Sequence, residues 1–340
     1  MARTLGGESA VCTAGLGRRR LLLGAAALGA LTAPGVVRAQ GEAWNPGRPI
    51  RLVVPYPPGG ATDILARLVA QRLGDRFGQS IVIDNRPGAN GIVASRYVLS
   101  SPADGLTFLM ATSDTHTILP NAYPRPPFPV QDFAPVAAVA NGVVSLIARP
   151  GLQVANAKDL AERARRADPA LTYASYGVGS VSQVVAEMFC MVVGTKMEHV
   201  PFPGAAPGLV AVSADQVDTM MVPVAVSYPQ RDKVRILGVC SAQRFPSLPE
   251  VPTLAEQGIA LDADIWFGLL AARGTPENAL TAVHAGVQEV LRSAEFLDAL
   301  RTNGFTPAPM SRAQFGAFLR QEHERWGTVI KQAGIRLSEG

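Results

Sequence analysis

RPIRLVVPYPPGGATDILAR, residues 48–67, passes from one kind of secondary structure to another within a single short stretch. IRLVV (50–54) is an apolar run that predicts a strand, and the Pro/Gly cluster 55–60 interrupts it. Beyond it Ile64, Leu65, Leu68, Val69 and Leu73 fall on one face of a helix predicted over 61–76. A strand running through a glycine pair into a helix presents unpaired backbone N–H groups and a positive dipole end, which suits an anion. No GK[ST] follows the glycines and the third glycine of a dinucleotide fingerprint is missing, so nucleotide phosphate is not the expected anion. Asp63 lies in the first helical turn, where it either complements the dipole or meets a ligand hydroxyl, amine or bridging water.

The chain has 340 residues, 48% hydrophobic and 17% charged, which fits a globular α/β protein of one large or two ordinary domains. Its first 39 residues form a separate segment: Arg18, Arg19 and Arg20 precede the apolar LLLGAAALGALTA (21–33), and Val37-Arg38-Ala39 offers small residues for cleavage. This is the pattern of a secretory signal peptide, too short to span a membrane. GRRRLL (17–22) fits both twin-arginine and ordinary Sec export. The leader carries five Arg and one Glu, so the formal charge of +4 belongs to it and the remainder is neutral. Neutrality gives no support to nucleic acid as a partner. Cys12 has no lipobox, and Cys190 and Cys240, each in an apolar setting, are expected to be separate buried thiols. With no CxxC and no Cys/His cluster, neither a structural zinc nor any other metal or cofactor is expected.

Strands alternate with helices along the chain, which predicts βαβ units around largely parallel sheets. SIVIDN (80–85) is a second strand, NRPGANG (85–91) a glycine-rich loop entering a helix, LTFLMAT (106–112) a third strand and SDTHTILPNAY (113–123) a loop. SLIARP (145–150) reads as the strand closing a first lobe. The pattern then restarts with a helix over 156–168 capped by Asn156, a strand at 171–176, GVGS (177–180) and a helix over 182–193. A short strand at 197–202, a helix at 207–215 and strands at 217–223 and 233–240 follow, before IWFGLLAA (265–272) leads to a helical C-terminus. GVGSVSQ (177–183) repeats the logic of the first loop, and two such loops at the carboxyl ends of parallel strands would border one cleft between two lobes.

The chain holds no GxSxG elbow and no HExxH, and its histidines are His116, His199, His284 and His323. Ser113, Asp114 and His116 raise a hydrolase as the rival reading, but they lie in one loop segment, which disfavours triad geometry.

These residues resemble the Bug family, the periplasmic solute-binding receptors of tripartite tricarboxylate transporters. The resemblance is carried by the opening stretch and by IVIDNRPGANGIVAS (81–95), PADGLTFLMATS (102–113), YASYGVGSVSQVVAEMF (173–189), HVPFPGAAP (199–207) and KVRILGVCSAQRFPSLPEVPTLAEQGI (233–259). It implies a two-lobed type II periplasmic-binding-protein fold, with residues 45–149 plus 265–340 as one lobe and 150–264 as the other. It implies a small carboxylate held by backbone N–H groups and small hydroxyls of two loops. Carried over, the first loop supplies Tyr56, Gly59, Gly60, Ala61, Thr62 and Asp63, and the second Ser175, Gly179, Ser180, Val181 and Ser182. Ser113, Thr115, Phe202 and Gly204 would form the walls, and Asp63 would meet the polar end of the ligand.

Gln183 stands where many members have His and Pro203 where many have Lys or Arg, and both changes remove potential positive charge near the second-lobe loop. That favours a monocarboxylate, or a dicarboxylate with a neutral polar tail, over an ionised tricarboxylate. The resemblance implies a monomeric, non-enzymatic periplasmic receptor serving membrane transporter subunits or a sensor kinase. The alternatives are a secreted hydrolase of a small ester or amide, and a ligand-sensing receptor without transport.

Overall fold

The computed structural model describes residues 44–332, 334 and 335, so the leader reading and Cys12 lie outside the described residues. The elements in chain order are β1 (Ile50–Val54), α1 (Ala61–Phe77), β2 (Ile81–Asn85), α2 (Ile92–Ser100) and β3 (Thr107–Thr112). A π-turn, Asp114–Ile118, then runs into α3 (Leu119–Ala122) and leads to β4 (Phe133–Ala148). The middle of the chain forms α4 (Ala157–Arg166), β5 (Thr172–Ser175), α5 (Val181–Val193), β6 (Glu198–Pro201), α6 (Ala205–Ser213), β7 (Thr219–Pro223), α7 (Val224–Ser227) and β8 (Arg235–Val239). The chain closes with β9 (Asp264–Ala272), α8 (Glu277–Val290), α9 (Ala294–Thr302), β10 (Phe305–Pro307) and α10 (Arg312–Gln332).

One continuous hydrogen-bonded path, β2-β1-β3-β9-β4-β7-β5-β6, threads two lobes. β1 pairs parallel with β2 and β3, and β5 pairs parallel with β6 and β7. β4 and β9 depart from the parallel expectation: β9 runs antiparallel to both β3 and β4, and β4 antiparallel to β7 and β8. β4 is the strand that joins the lobes. Phe133 to Val143 pair with β9, whereas Val144 to Ala148 pair with β7 and Ser145 to Ala148 with β8. The strand read from SLIARP is therefore the far end of a 16-residue strand.

Local chemistry accounts for most boundaries. Gly60 is extended at the N-cap of α1 and Gly78 left-handed at its C-cap. The Asn156 side chain accepts the Asp159 N–H and caps α4. The segment 113–123, expected as a loop, is helical over 113–122 and its turn Asp114–Ile118 is wholly buried; the Thr117 and Asn121 side chains donate to the carbonyls of Ser113 and Thr117. β3 and β9 are almost entirely buried, and Phe315 of α10 packs over Gly268, where a Cβ would meet its ring at 2.4 Å. Cys190 and Cys240 are both buried and free, and burial pushes the Cys190 thiol up to about 11. Among the described residues no helix is long and apolar enough to cross a membrane.

Candidate functional site

The carboxyl ends of β1, β5 and β6 open towards one another, and the loops that follow them close over a cavity of about 30 Å³. Tyr56, Gly60, Ala61 and Thr62 line it from one lobe, and Tyr176 and Gly204 to Pro207 from the other. Pro57, Pro58, Asp114, Pro223, Ile265 and Phe267 complete it. The lobes touch here: Tyr56 and Tyr176 meet edge to face, their ring centroids 6.1 Å apart. On the other side of that pair an adjoining cavity is lined by Asn90, Tyr123, Gly177, Phe202 and Pro203. Tyr56 donates from its hydroxyl to Asn90 Oδ1 at 2.9 Å, while Asn90 Nδ2, though buried, has no partner among the described residues.

Two helices begin at the smaller cavity with no side chain capping them. α1 starts behind Gly60 and α6 behind Gly204, and neither N-cap receives a side-chain hydrogen bond. The first turn of a helix has N–H groups with no intrahelical partner, so those of Ala61, Thr62, Ala205 and Ala206 are donors directed at the cleft end of each axis. Pro207 contributes none.

The second loop is occupied by its own side chains. Gly179 N–H is taken by Gln183 Oε1 at 2.8 Å, and Ser180 Oγ caps Gln183 while donating to the Gly177 carbonyl. Ser175 Oγ shares a hydrogen with His199 Nε2 at 2.7 Å, and Ser182 Oγ donates to the Met221 carbonyl. Val181 N–H is given to Asp114 across the cleft. The second-lobe residues that line the smaller cavity are thus Tyr176, Pro223 and the start of α6, of which the sequence reading had Gly204 as wall. Of the other expected wall residues, Phe202 lines the adjoining cavity, Ser113 Oγ accepts the Trp266 N–H at 2.8 Å, and Thr115 Oγ1 bonds the Thr112 backbone and His116 Nδ1.

The two acidic residues of the site have contrasting surroundings. Asp63 takes hydrogen bonds from Gly59 N–H, from Asn85 Nδ2 and from Arg67 through two nitrogens, all within its own lobe. Burial alone would push its carboxyl up, but Arg67, Asn85 and the Gly59 N–H outweigh it and hold the group below its ordinary value. Its oxygens are committed to the loop rather than directed at the cavity.

Asp114 lines the cavity at 4% exposure, and no Lys, Arg or His among the described residues forms an ion pair with it. Burial pushes its carboxyl up to about 7, against the opposing pull of Val181 and its own N–H and of the Thr112 and Tyr176 hydroxyls. Asn90 and Asp114 line the two cavities without having been singled out as ligand groups in the sequence, and Tyr176 lay inside the second loop unnamed. The GANG turn was the only signal for Asn90, which adopts the left-handed conformation Asn tolerates.

Ser113, Asp114 and His116 do not form a relay. Each bonds a different partner, and burial pushes the His116 imidazole down to about 3, so it stays neutral. No group of three or more His, Cys, Asp or Glu among the described residues is placed to hold a metal.

Comparison with known proteins gives a consistent answer. A family model described as the tripartite tricarboxylate transporter family receptor matches residues 65–335. The protein BugT of Bordetella pertussis is 30% identical over 297 residues, covering 86% of this chain and 91% of BugT. A Pseudomonas sp. protein from the tcbD–tcbE intergenic region is 33% identical over 333 residues, covering 96% of this chain and 97% of its own. Among solved structures, a Rhodopseudomonas palustris protein with adipate matches at TM-score 0.82 and 34% identity, over 86% of this chain and 99% of that one. MatC of the same organism, with bound malate, matches at TM-score 0.78 and 29% identity, over 84% and 99%. The periplasmic binding protein BugD matches at TM-score 0.80 and 27% identity, over 86% and 99%, so the two-lobed α/β fold is that of periplasmic binding proteins. The chain belongs to the tripartite tricarboxylate transporter receptor family.

Proposed function

We propose that this chain is a periplasmic receptor, monomeric and without catalytic activity, that captures a small carboxylate between its lobes and presents the closed form to membrane transporter subunits. The observation that carries this reading is the pair of uncapped helix N-termini, α1 and α6, that meet the same cavity from opposite lobes. A carboxylate placed between them receives backbone donors from both sides, so its binding energy is gained only when the lobes close. A few charge-assisted hydrogen bonds of roughly 1.5–3 kcal/mol each reach micromolar affinity after ordering costs. The related structures with adipate and malate support a carboxylate as the ligand class.

The pairing of β4 supports moving the first lobe crossing from residue 149 to the neighbourhood of Gly142 and Val143, where its partner changes from β9 to β7. β4 and the segment before β9 then form the hinge. Export by the 1–39 leader is part of the same proposal. The test uses protein recovered from the periplasm, titrated calorimetrically with adipate, malate and short monocarboxylates, with each mixture followed by mass spectrometry. Saturable binding of at least one without turnover is the expected result. Steady product formation, or no binding across the set, would overturn it.

A further inference from the structure

Resting on the carboxylate-receptor reading, we infer that Asp114 makes this cleft select carboxylates that also carry a cationic hydrogen-bond donor, such as an ammonium group. The cavity is polarised. One part is bordered by the N-terminal donors of α1 and α6, which suit an anion, and the Asp114 carboxylate sits in the same wall-to-wall space. Pro223, Ile265 and Phe267 add apolar surface to the same lining, and the space admits only about two waters.

A buried carboxylate is costly to leave without a counter-charge, and the described residues provide none. Its donors from the facing lobe, the Val181 N–H and the Tyr176 hydroxyl, are both neutral. The groups that face it are Tyr56 and Tyr176, whose phenols are pushed up first by burial and then by the charge of Asp114, and the buried, neutral Thr112 hydroxyl. An ammonium on the ligand supplies the missing positive charge. A fully ionised dicarboxylate of similar length sets like charge against Asp114 instead, which is how a site rejects a competitor.

The Val181 contact gives the rival explanation, in which Asp114 is merely a latch that caps α5 and holds the lobes together. Asp114→Asn separates the two, because Asn keeps an acceptor oxygen for the Val181 N–H and loses only the charge. Three matched pairs serve as probes: β-alanine and propionate, 4-aminobutyrate and butyrate, and L-glutamate and glutarate. In calorimetric titrations at pH 8 the full exported protein is expected to bind the amino member of at least one pair about tenfold or more tighter than its partner. Asp114→Asn is expected to abolish that preference while leaving the melting temperature no lower.

An equal loss for both members of the pair would make Asp114 a latch and overturn the inference. So would a preference that survives the substitution. Tight binding of adipate, propionate, butyrate or glutarate with no gain from an amino group would overturn the inference and leave the carboxylate receptor standing. Failure of the wild-type protein to bind any compound in either set would remove both.

Discussion

Gly204 of one lobe faces Pro57 of the other so closely that a Cβ on the glycine would stand 3.1 Å from the proline Cδ. The backbone at Gly204 is extended, so the position demands no special torsion, and the restriction is purely one of space between the jaws. Gly204→Val therefore acts as a wedge. We expect a ligand affinity lower by about tenfold or more, with a melting temperature within a few degrees of wild type. Small-angle scattering with saturating ligand should show the variant remaining more extended, and a compact liganded form would refute the wedge.

The donors of α6 can be removed one at a time. Ala205 is the first helical residue behind an extended Gly204, a position that accepts proline without loss of the helix. Ala205→Pro deletes a single N–H and leaves the dipole in place. Loss of one ionic hydrogen bond, about 1.5–3 kcal/mol, corresponds to roughly 10- to 150-fold weaker carboxylate binding. Circular dichroism should be unchanged, and unchanged affinity would show that the anion does not touch α6.

Asp63 predicts a stability phenotype. Asp63→Asn loses the bidentate Arg67 pair and weakens the tie to Gly59, with an expected cost of about 1–3 kcal/mol at pH 7. Because the folded carboxyl is held below its ordinary value, this contribution is present above the ordinary carboxylate range and is lost as pH falls through the depressed value. Melting curves of wild type and variant should converge towards pH 3 and separate above pH 5. Affinity for ligand should change less than in Ala205→Pro.

Asp114 carries the opposite sign. Its carboxyl is raised to about 7, so the folded state favours the protonated form, and stability is lost as pH rises from the ordinary carboxylate range through about 7. Asp114→Asn removes that cost. Without ligand its melting temperature should exceed that of wild type by several degrees at pH 8, by less at pH 5.5, and not at all below pH 4. A constant difference across this range would mean that the cleft does not raise the Asp114 carboxyl.

The contrast between these two acids shows where sequence reading stops. Asp63 sits in a helical first turn beside a glycine pair, and from its neighbours it looks like a ligand group. Arg67 lies one turn further on the same helix, but Asn85 comes from another strand, and only the parallel pairing of β1 with β2 brings it to the carboxylate. Asp114 fell in a segment expected as a loop, among the polar Ser113, Thr115 and Thr117. Their hydroxyls bond locally and to β9, which lets the whole turn be buried.

The sequence by itself determined the order of most strands and helices, the Pro/Gly loops at the ends of β1 and β6, and the cap of α4, because these depend on hydrophobic period and backbone torsion within a few residues. It also carried the family resemblance and the two-lobed fold that follows from it. Only the tertiary structure decided that β4 runs unbroken from one lobe into the other, that α6 offers its open N-terminus to the cleft while α5 is sealed by Ser180, Gln183 and Asp114, and that Asp114 rather than Asp63 faces the cavity. Those outcomes turn on which groups distant in the chain satisfy one another's hydrogen bonds, and that is settled when the sheet assembles and the two lobes meet.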